Sequence, residues 1–134
     1  MIIELNSELD ESKFNKTNLY YHGVTRSHID EYKHDLRFSG ITKLNDRLKK
    51  YNEIGDILSK ARAYSPFSDK RIVGFINKQN RVVKFDRQYG DFVVFKGDDT
   101  ITLHKRTERS FKSNLRRDFK EELPENQNKE TNNE

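Results

Sequence analysis

Four histidines are the side chains of this sequence best suited to proton transfer: His22, His28, His34 and His104. Histidine has the ordinary pKa nearest to neutrality, so it is the usual general acid or base. The first three lie six residues apart, and neither His-x-x-x-His nor His-Glu-x-x-His occurs, so the spacing does not predict a zinc site. The alternative for each histidine is an ordinary surface or half-buried imidazole.

Other common catalytic groups are missing from the sequence. It contains no cysteine, which excludes disulfides, thiolate nucleophiles and cysteine-based zinc sites. It also contains no Gly-x-Gly-x-x-Gly and no Walker motif, which argues against dinucleotide and ATP-driven chemistry. We therefore expect no metal and no cofactor.

His104 has the most informative surroundings. Alternation along a strand of residues 100–106 places Thr102, His104 and Arg106 on one face. Arginine makes bidentate phosphate contacts and stabilises developing charge, and an imidazole could move the proton of a ribose 2′-hydroxyl. The three side chains could thus hold a phosphodiester on an open sheet face. The alternative is an ordinary polar strand face.

Lys33 and His34 form a second candidate pair near the end of a predicted first helix, residues 28–37. The helix begins with Ser27-His28-Ile29-Asp30, which fits a capping box. A cationic His34 would also stabilise the C-terminal end of such a helix without any catalytic role.

Positive charge is concentrated in the last third of the sequence. The net charge is +4, and seven basic against two acidic residues between Leu103 and Lys120 give +5 over 18 residues. A basic surface attracts nucleic acid through its long-range field. The candidate nucleic-acid-binding residues are Lys105, Arg109, Lys112, Arg116, Arg117 and Lys120.

A basic amphipathic helix over residues 108–120 could instead contact a membrane or a partner. Its apolar stripe of Phe111, Leu115 and Phe119 is narrow, which favours docking on the sheet. No run of about 18 apolar residues and no secretion signal is present, so we expect no membrane association and a cytoplasmic protein.

The periodicity predicts an α+β fold: N-terminal helices packed on a four-stranded antiparallel meander, followed by a basic C-terminal helix. An apolar stripe at steps of three and four from Ile41 to Ala61 predicts a long helix that ends before Pro66. Strand-like runs at residues 71–76, 81–86, 92–96 and 100–106 alternate with turns, including Gly97-Asp98-Asp99. A last helix is expected over Thr107 to Leu123.

Composition predicts one small domain. Leu, Ile, Val and Phe make up 34 of 134 residues, above the fraction of about a fifth below which disorder is expected. We expect an extended segment at residues 1–26, the α+β domain at 27–123 and a disordered polar tail at 124–134.

The element order is similar to that of a known group of ribonucleases. The segment His28-Ile29-Asp30-Glu31-Tyr32-Lys33-His34, a long helix, then Arg81-Val82-Val83-Lys84-Phe85-Asp86, Asp91-Phe92-Val93-Val94-Phe95 and Thr100-Ile101-Thr102-Leu103-His104-Lys105 follow one another. This order resembles the BECR group, which covers barnase, EndoU, colicin D and RelE-like ribonucleases and toxin domains. The resemblance spans about residues 28–107, and the basic C-terminal helix lies beyond it.

The resemblance implies metal-independent RNA cleavage, in which the ribose 2′-hydroxyl attacks its own phosphate and leaves a cyclic phosphate. It implies base and acid roles for His34 and His104, with Lys33 beside them. Thr102 would orient the phosphate, and Arg106 or Lys105 would stabilise its charge. RNA would be the substrate, and an inhibitor or immunity protein a further partner.

Two other functions fit the same residues. The protein could be a nucleic-acid-binding accessory protein without catalysis, or a protein-interaction adaptor of a phage or mobile element. The oligomeric state is left open by the sequence.

Overall fold

The computed structural model describes residues 30–96 and 99–124, with the side chains of residues 99–101 excepted. Several expectations therefore lie outside the described residues. These are the extended N-terminal segment, the capping box that begins at Ser27, the turn at Gly97 and Asp98, and the polar tail beyond Pro124.

A five-stranded antiparallel sheet forms the centre of the fold. Its strands are β1 (Ile72–Asn77), β2 (Val82–Asp86), β3 (Asp91–Lys96), β4 (Asp99–Lys105) and β5 (Phe119–Glu122). Their order in the sheet is β4-β3-β2-β1-β5. The first four strands confirm the predicted meander, and β5 adds a strand beside β1.

The turn between β2 and β3 depends on Gly90. Its φ is 77°, a region that favours glycine. A Cβ at this position would also lie 2.7 Å from the carbonyl oxygen of Arg106. The backbone N–H of Arg106 donates to the carbonyl of Gly90 at 2.8 Å, so this approach fixes the end of β4 against the turn.

The long helix α1 (Leu44–Lys60) confirms the predicted amphipathic helix and covers one face of the sheet. Its buried stripe packs on inward side chains of β3 and β4 such as Val93 and Leu103. The residues of that stripe are Leu44, Leu48, Tyr51, Ile54 and Leu58. The hydroxyl of Tyr51 also donates to the carbonyl of Leu103, which ties α1 to β4.

The second helix, α2 (Glu108–Asp118), covers the opposite face. Thr107 begins it by accepting a hydrogen bond from the N–H of Ser110 at 3.0 Å. Phe111 and Leu115 are buried against the sheet, and the rings of Phe111 and Phe85 stack with centroids 4.5 Å apart. The apolar stripe therefore docks on the sheet, as the sequence predicted.

The expected helix over Thr107 to Leu123 was too long. The helix ends at Asp118, and Phe119 adopts extended backbone angles as the first residue of β5. Pairing with β1 satisfies backbone groups of both segments, which explains why the chain leaves the helix there. Lys120 consequently lies on a strand.

The predicted first helix over residues 28–37 was also wrong over most of its length. Residues 31–34 form a turn, and a short 3-10 helix spans Leu36–Phe38. Tyr32 and Phe38 both enter the core on the α1 side. Six residues of α-helix would point them about 120° apart, so burial of both requires a different backbone path.

No helix in the described part of the chain is long and apolar enough to cross a membrane.

Candidate nucleic-acid interface

The outer surface of α2 carries four exposed cations. Burial of Phe111 and Leu115 turns the opposite side of the helix toward solvent. Arg109, Lys112, Arg116 and Arg117 are all exposed there. We call these four residues the α2 basic surface; a helix of this length extends over about 16 Å.

Acidic neighbours compete only weakly for these cations. Lys112 Nζ lies 3.9 Å from Glu108 Oε2, and Arg117 Nη2 lies 3.4 Å from Asp118 Oδ2. Both contacts are solvent-exposed, and ion pairs of this kind contribute at most about 1 kcal/mol. An anion could therefore replace them at little cost.

Two lysines extend the basic surface beyond the C-terminal end of α2. The N–H of Lys78, in the turn between β1 and β2, donates to the carbonyl of Asp118 at 2.9 Å. The amine of Lys120 donates to Asn80 Oδ1 in the same turn. Lys120 was predicted from the sequence. Lys78 was missed because it is distant in sequence and only strand pairing brings it here.

Arg87 fixes the start of α2 against the rest of the fold. Its Nε lies 3.0 Å from both carboxylate oxygens of Glu108. Its Nη1 donates to the carbonyls of Ser68 at 2.8 Å and Lys70 at 2.7 Å. The loop between α1 and β1 (residues 61–71) is thereby held beside α2.

Two of the predicted phosphodiester-binding residues, Thr102 and His104, share one face of β4, and Arg106 follows the last residue of the strand. Thr102 pairs with Val94 and His104 with Phe92, and both side chains are half-buried on the α2 side. Arg106 is exposed, with its guanidinium carbon 5.5 Å from the centre of the Phe92 ring. The face predicted to be open is covered by α2 over its central strands, and β4 lies at its edge.

Glu31 is a functional candidate that the sequence analysis missed. Its Oε1 lies 3.6 Å from Nδ1 of His104 and accepts the N–H of Lys105 at 2.9 Å. Lys33 and His34 are exposed in the same turn as Glu31. The contact between Glu31 and His104 depends on how the turn packs along β4. Because 73 positions separate these two residues in the sequence, no local sequence signal could reveal it.

Lys105, another predicted binding residue, points to the α1 side of the sheet. Its amine donates to Asp35 Oδ2 at 2.6 Å and to the carbonyl of Tyr89. The side chain is therefore engaged within the fold and lies apart from the α2 basic surface.

Lys105 belongs to a partly buried network of charges centred on Arg37. The guanidinium donates to both oxygens of Asp91 at 2.8 Å and to both oxygens of Asp35 at 2.9 and 2.7 Å. Tyr32 also donates to Asp91, at 3.1 Å. We call Tyr32, Asp35, Arg37, Asp91 and Lys105 the Arg37 network.

The network shifts the protonation of its members. Burial by itself would raise the pKa of Asp35, but hydrogen bonds from Arg37 and Lys105 outweigh it and hold that pKa well below its usual range. Burial, followed by the charge of Asp91, raises the pKa of Tyr32 far above its usual range. The carboxylate of Asp35 and the phenol of Tyr32 therefore keep their protonation states near neutral pH.

Metal-ligand geometry is not found in the described segments: no group of three or more His, Asp or Glu side chains there is placed to hold a metal ion. Comparisons with protein-family models, with curated proteins and with solved structures found no match.

Proposed function

We propose that this protein binds RNA through the α2 basic surface. The observation that carries the proposal is the placement of Arg109, Lys112, Arg116 and Arg117 on the solvent side of a helix whose other side is buried. Backbone phosphates are the anions that such a row of cations fits, because each phosphate can meet one cation. Lys78 and Lys120 extend the row.

The packing of α2 also favours RNA binding over membrane binding by the same helix. Its apolar side chains, Phe111 and Leu115, are buried in the sheet and cannot enter a lipid surface. What remains outside is charged and polar. Binding should consequently be electrostatic and decrease with salt, as phosphate-dominated binding does.

The test is binding of fluorescent single-stranded RNA, measured by anisotropy over a series of salt concentrations. We expect Arg116→Ala with Arg117→Ala to weaken binding and to reduce the salt slope by about 1.4, since each phosphate contact on a single strand contributes about 0.7. The matched control is Lys43→Ala with Lys49→Ala, two exposed lysines at the start of α1 and within it.

The control removes the same charge from the opposite face. Equal losses in both double variants would show that only net charge matters. Binding by wild-type protein that does not change with salt would contradict the proposal directly.

A second candidate function is metal-independent endoribonuclease activity of the BECR and toxin type, and the contact of Glu31 with His104 favours it. At 3.6 Å the carboxylate lies just beyond hydrogen-bond distance of Nδ1; on closing that gap it would orient the imidazole so that Nε2 accepts a proton. His104 would take the proton of a ribose 2′-hydroxyl. The 2′-oxygen would bond to phosphorus and the bond from phosphorus to the 5′-oxygen would break.

Other predicted residues would complete that reaction. Arg106 would stabilise the charge on the phosphate, and Thr102 would orient it. His34, with Lys33 beside it, would return a proton to the 5′-oxygen that leaves. The product would carry a 2′,3′-cyclic phosphate.

Cleavage is tested by incubating the protein with total tRNA and ribosomal RNA in EDTA and separating the products on a gel. We expect discrete fragments that disappear with His104→Ala, while RNA affinity is retained. Glu31→Gln should slow cleavage and displace its pH profile, because Glu31 acts through His104.

Two outcomes separate the candidates. Intact RNA in a retarded band would exclude the nuclease and support the binding protein. Intact RNA without retardation would contradict both and favour a protein-interaction adaptor.

A further inference from the structure

Phe67 is a large apolar side chain that the fold leaves in solvent. Its residue is 66% exposed, although the sheet has an apolar core close by. The rings of Phe67 and Phe119 meet edge to face, with centroids 5.3 Å apart and an angle of 67° between the planes. Phe119 is the residue that follows α2, so Phe67 lies at the C-terminal end of the α2 side.

The backbone around Phe67 is held in place by local hydrogen bonds. The N–H of Phe67 donates to Ser65 Oγ at 3.2 Å, and the N–H and Oγ of Ser68 donate to the carbonyl of Ser65 at 3.0 and 2.7 Å. Arg87 then anchors the carbonyls of Ser68 and Lys70. A loop backbone held in this way loses little conformational freedom when a ligand covers the side chain it carries.

Cations lie on the same side of the molecule as this ring. Arg87 connects the loop to Glu108 of α2, and Lys112 lies one helical turn further along that flank, 3.9 Å from Glu108. Lys70, in the loop itself, is exposed. Phe67 is thus an exposed aromatic ring in a loop that also carries Lys70 and that Arg87 joins to the helix bearing the α2 basic surface. An aromatic ring and cations on one side of a protein are complementary to a nucleotide, which has a flat base and an anionic phosphate.

We infer that Phe67 is a stacking platform for an unpaired base, and that the RNA bound by the α2 basic surface is single-stranded. In a duplex the base faces are covered by neighbouring pairs, so Phe67 would gain no stacking from it. In a single strand a base can turn onto the ring while its phosphates stay on α2. This inference rests on the proposed RNA binding.

Phe67 variants test the inference on full-length protein. The probe is an oligouridylate of about twelve nucleotides, within the usual span of single-strand sites, compared with an RNA duplex of similar length. We expect Phe67→Ala to weaken binding of the single strand by about 5- to 150-fold. Binding of the duplex should stay unchanged.

Phe67→Leu separates stacking from packing, because leucine keeps apolar contact with Phe119 but has no aromatic face. It should lose nearly as much affinity as Phe67→Ala. Ile57→Ala is the matched control: Ile57 is 64% exposed and lies on α1, on the opposite face. That variant should bind both RNAs as wild type does.

Phe67→Trp gives a direct signal, since the natural chain contains no tryptophan. Its affinity should equal or exceed that of wild type, and oligouridylate should quench its fluorescence. Thermal melting of each variant shows that the fold is retained.

The inference and the proposed function fail differently. If the Arg116 and Arg117 double variant loses salt-dependent binding but Phe67→Leu binds the single strand normally, the stacking platform is excluded and RNA binding stands. If wild-type protein binds neither the oligouridylate nor the duplex, RNA binding and the stacking platform are both excluded. A protein partner for Phe67 then becomes the alternative.

Discussion

Basic side chains directed at the core on the α1 side and those on the outer surface of α2 are of the same types but are used in opposite ways. On the α1 side, Arg37, Lys84 and Lys105 are directed inward and contact carboxylates or backbone carbonyls. On the α2 side, Arg109, Lys112, Arg116 and Arg117 are exposed. A basic residue count therefore does not measure binding capacity; the position of each cation relative to the sheet does.

The α1 side shows how cations stabilise buried carboxylates in a small core. Asp91 is 0% exposed, and the fork of Arg37 meets both of its oxygens. The ring of Tyr89 lies 3.8 Å from the guanidinium carbon of Arg37. A hydrogen bond with Asp86 raises the pKa of Arg71, which makes a second forked pair nearby.

Lys84 serves the same side in another way. It lies in the middle of β2, is 3% exposed, and its amine donates to the carbonyls of Leu58 and Ala61 at 2.9 and 2.8 Å. These carbonyls are at the C-terminal end of α1, where helix carbonyls lack partners and a cation is favourable. The lysine thus joins the helix to the sheet.

The largest effect is expected from Arg37→Ala. Removal of the guanidinium leaves the carboxylates of Asp35 and Asp91 buried without their main partner, which should lower the free energy of unfolding by about 3 to 5 kcal/mol. Urea denaturation followed by circular dichroism measures it. The control, Arg109→Ala on α2, should change stability little; equal losses would remove the distinction between the faces.

Arg37→Lys covers the case in which the alanine variant does not fold. Lysine keeps the charge but cannot bond both carboxylates in a fork, so this variant should be intermediate in stability.

The next largest effect is expected from Lys84→Met, which keeps the length of the side chain and removes its donors. It leaves the carbonyls of Leu58 and Ala61 without the amine, and we expect a loss of about 1.5 to 3 kcal/mol in unfolding free energy. Lys49→Met, at an exposed position of α1, is the control. A stability equal to wild type would show that the amine contributes nothing to the junction.

A smaller effect on the free energy of unfolding is expected when the pH is lowered. The folded pKa of Asp35 is depressed, so its contribution to stability is complete above its unfolded pKa of about 4 and is lost as pH falls through the folded value. Urea midpoints should therefore decline below about pH 4. Asp35→Asn should be less stable near neutrality and less sensitive to acid; an unaltered pH dependence would contradict this assignment.

The smallest effect on stability is expected from Arg116→Ala with Arg117→Ala. Both side chains are exposed, and surface substitutions of this kind change the unfolding free energy by about 0.5 kcal/mol or less. The melting temperature should stay near that of wild type while RNA affinity falls. A large loss of stability would mean that the α2 basic surface also serves the fold.

Periodicity predicted the elements whose patterns are long and regular. The stripe of α1 and the four strands of the meander were correct because burial of one face imposes period 3.6 on a helix and alternation on a strand. The error at residues 31–37 arose because Tyr32 and Phe38 are buried by the Arg37 network and the core, which local pattern cannot register. The error at Phe119 arose because an open edge of β1 was available for pairing.

The sequence by itself determined the α+β class, the meander and the concentration of basic residues near the C-terminal end, since these depend on composition and local period. Only the tertiary structure decided which cations are available. Contacts across many residues direct Lys105 to Asp35 and Glu31 to His104, and bring Lys78 to the end of α2. Such contacts depend on how strands and helices pack, and the packing of distant segments cannot be predicted from the local sequence pattern.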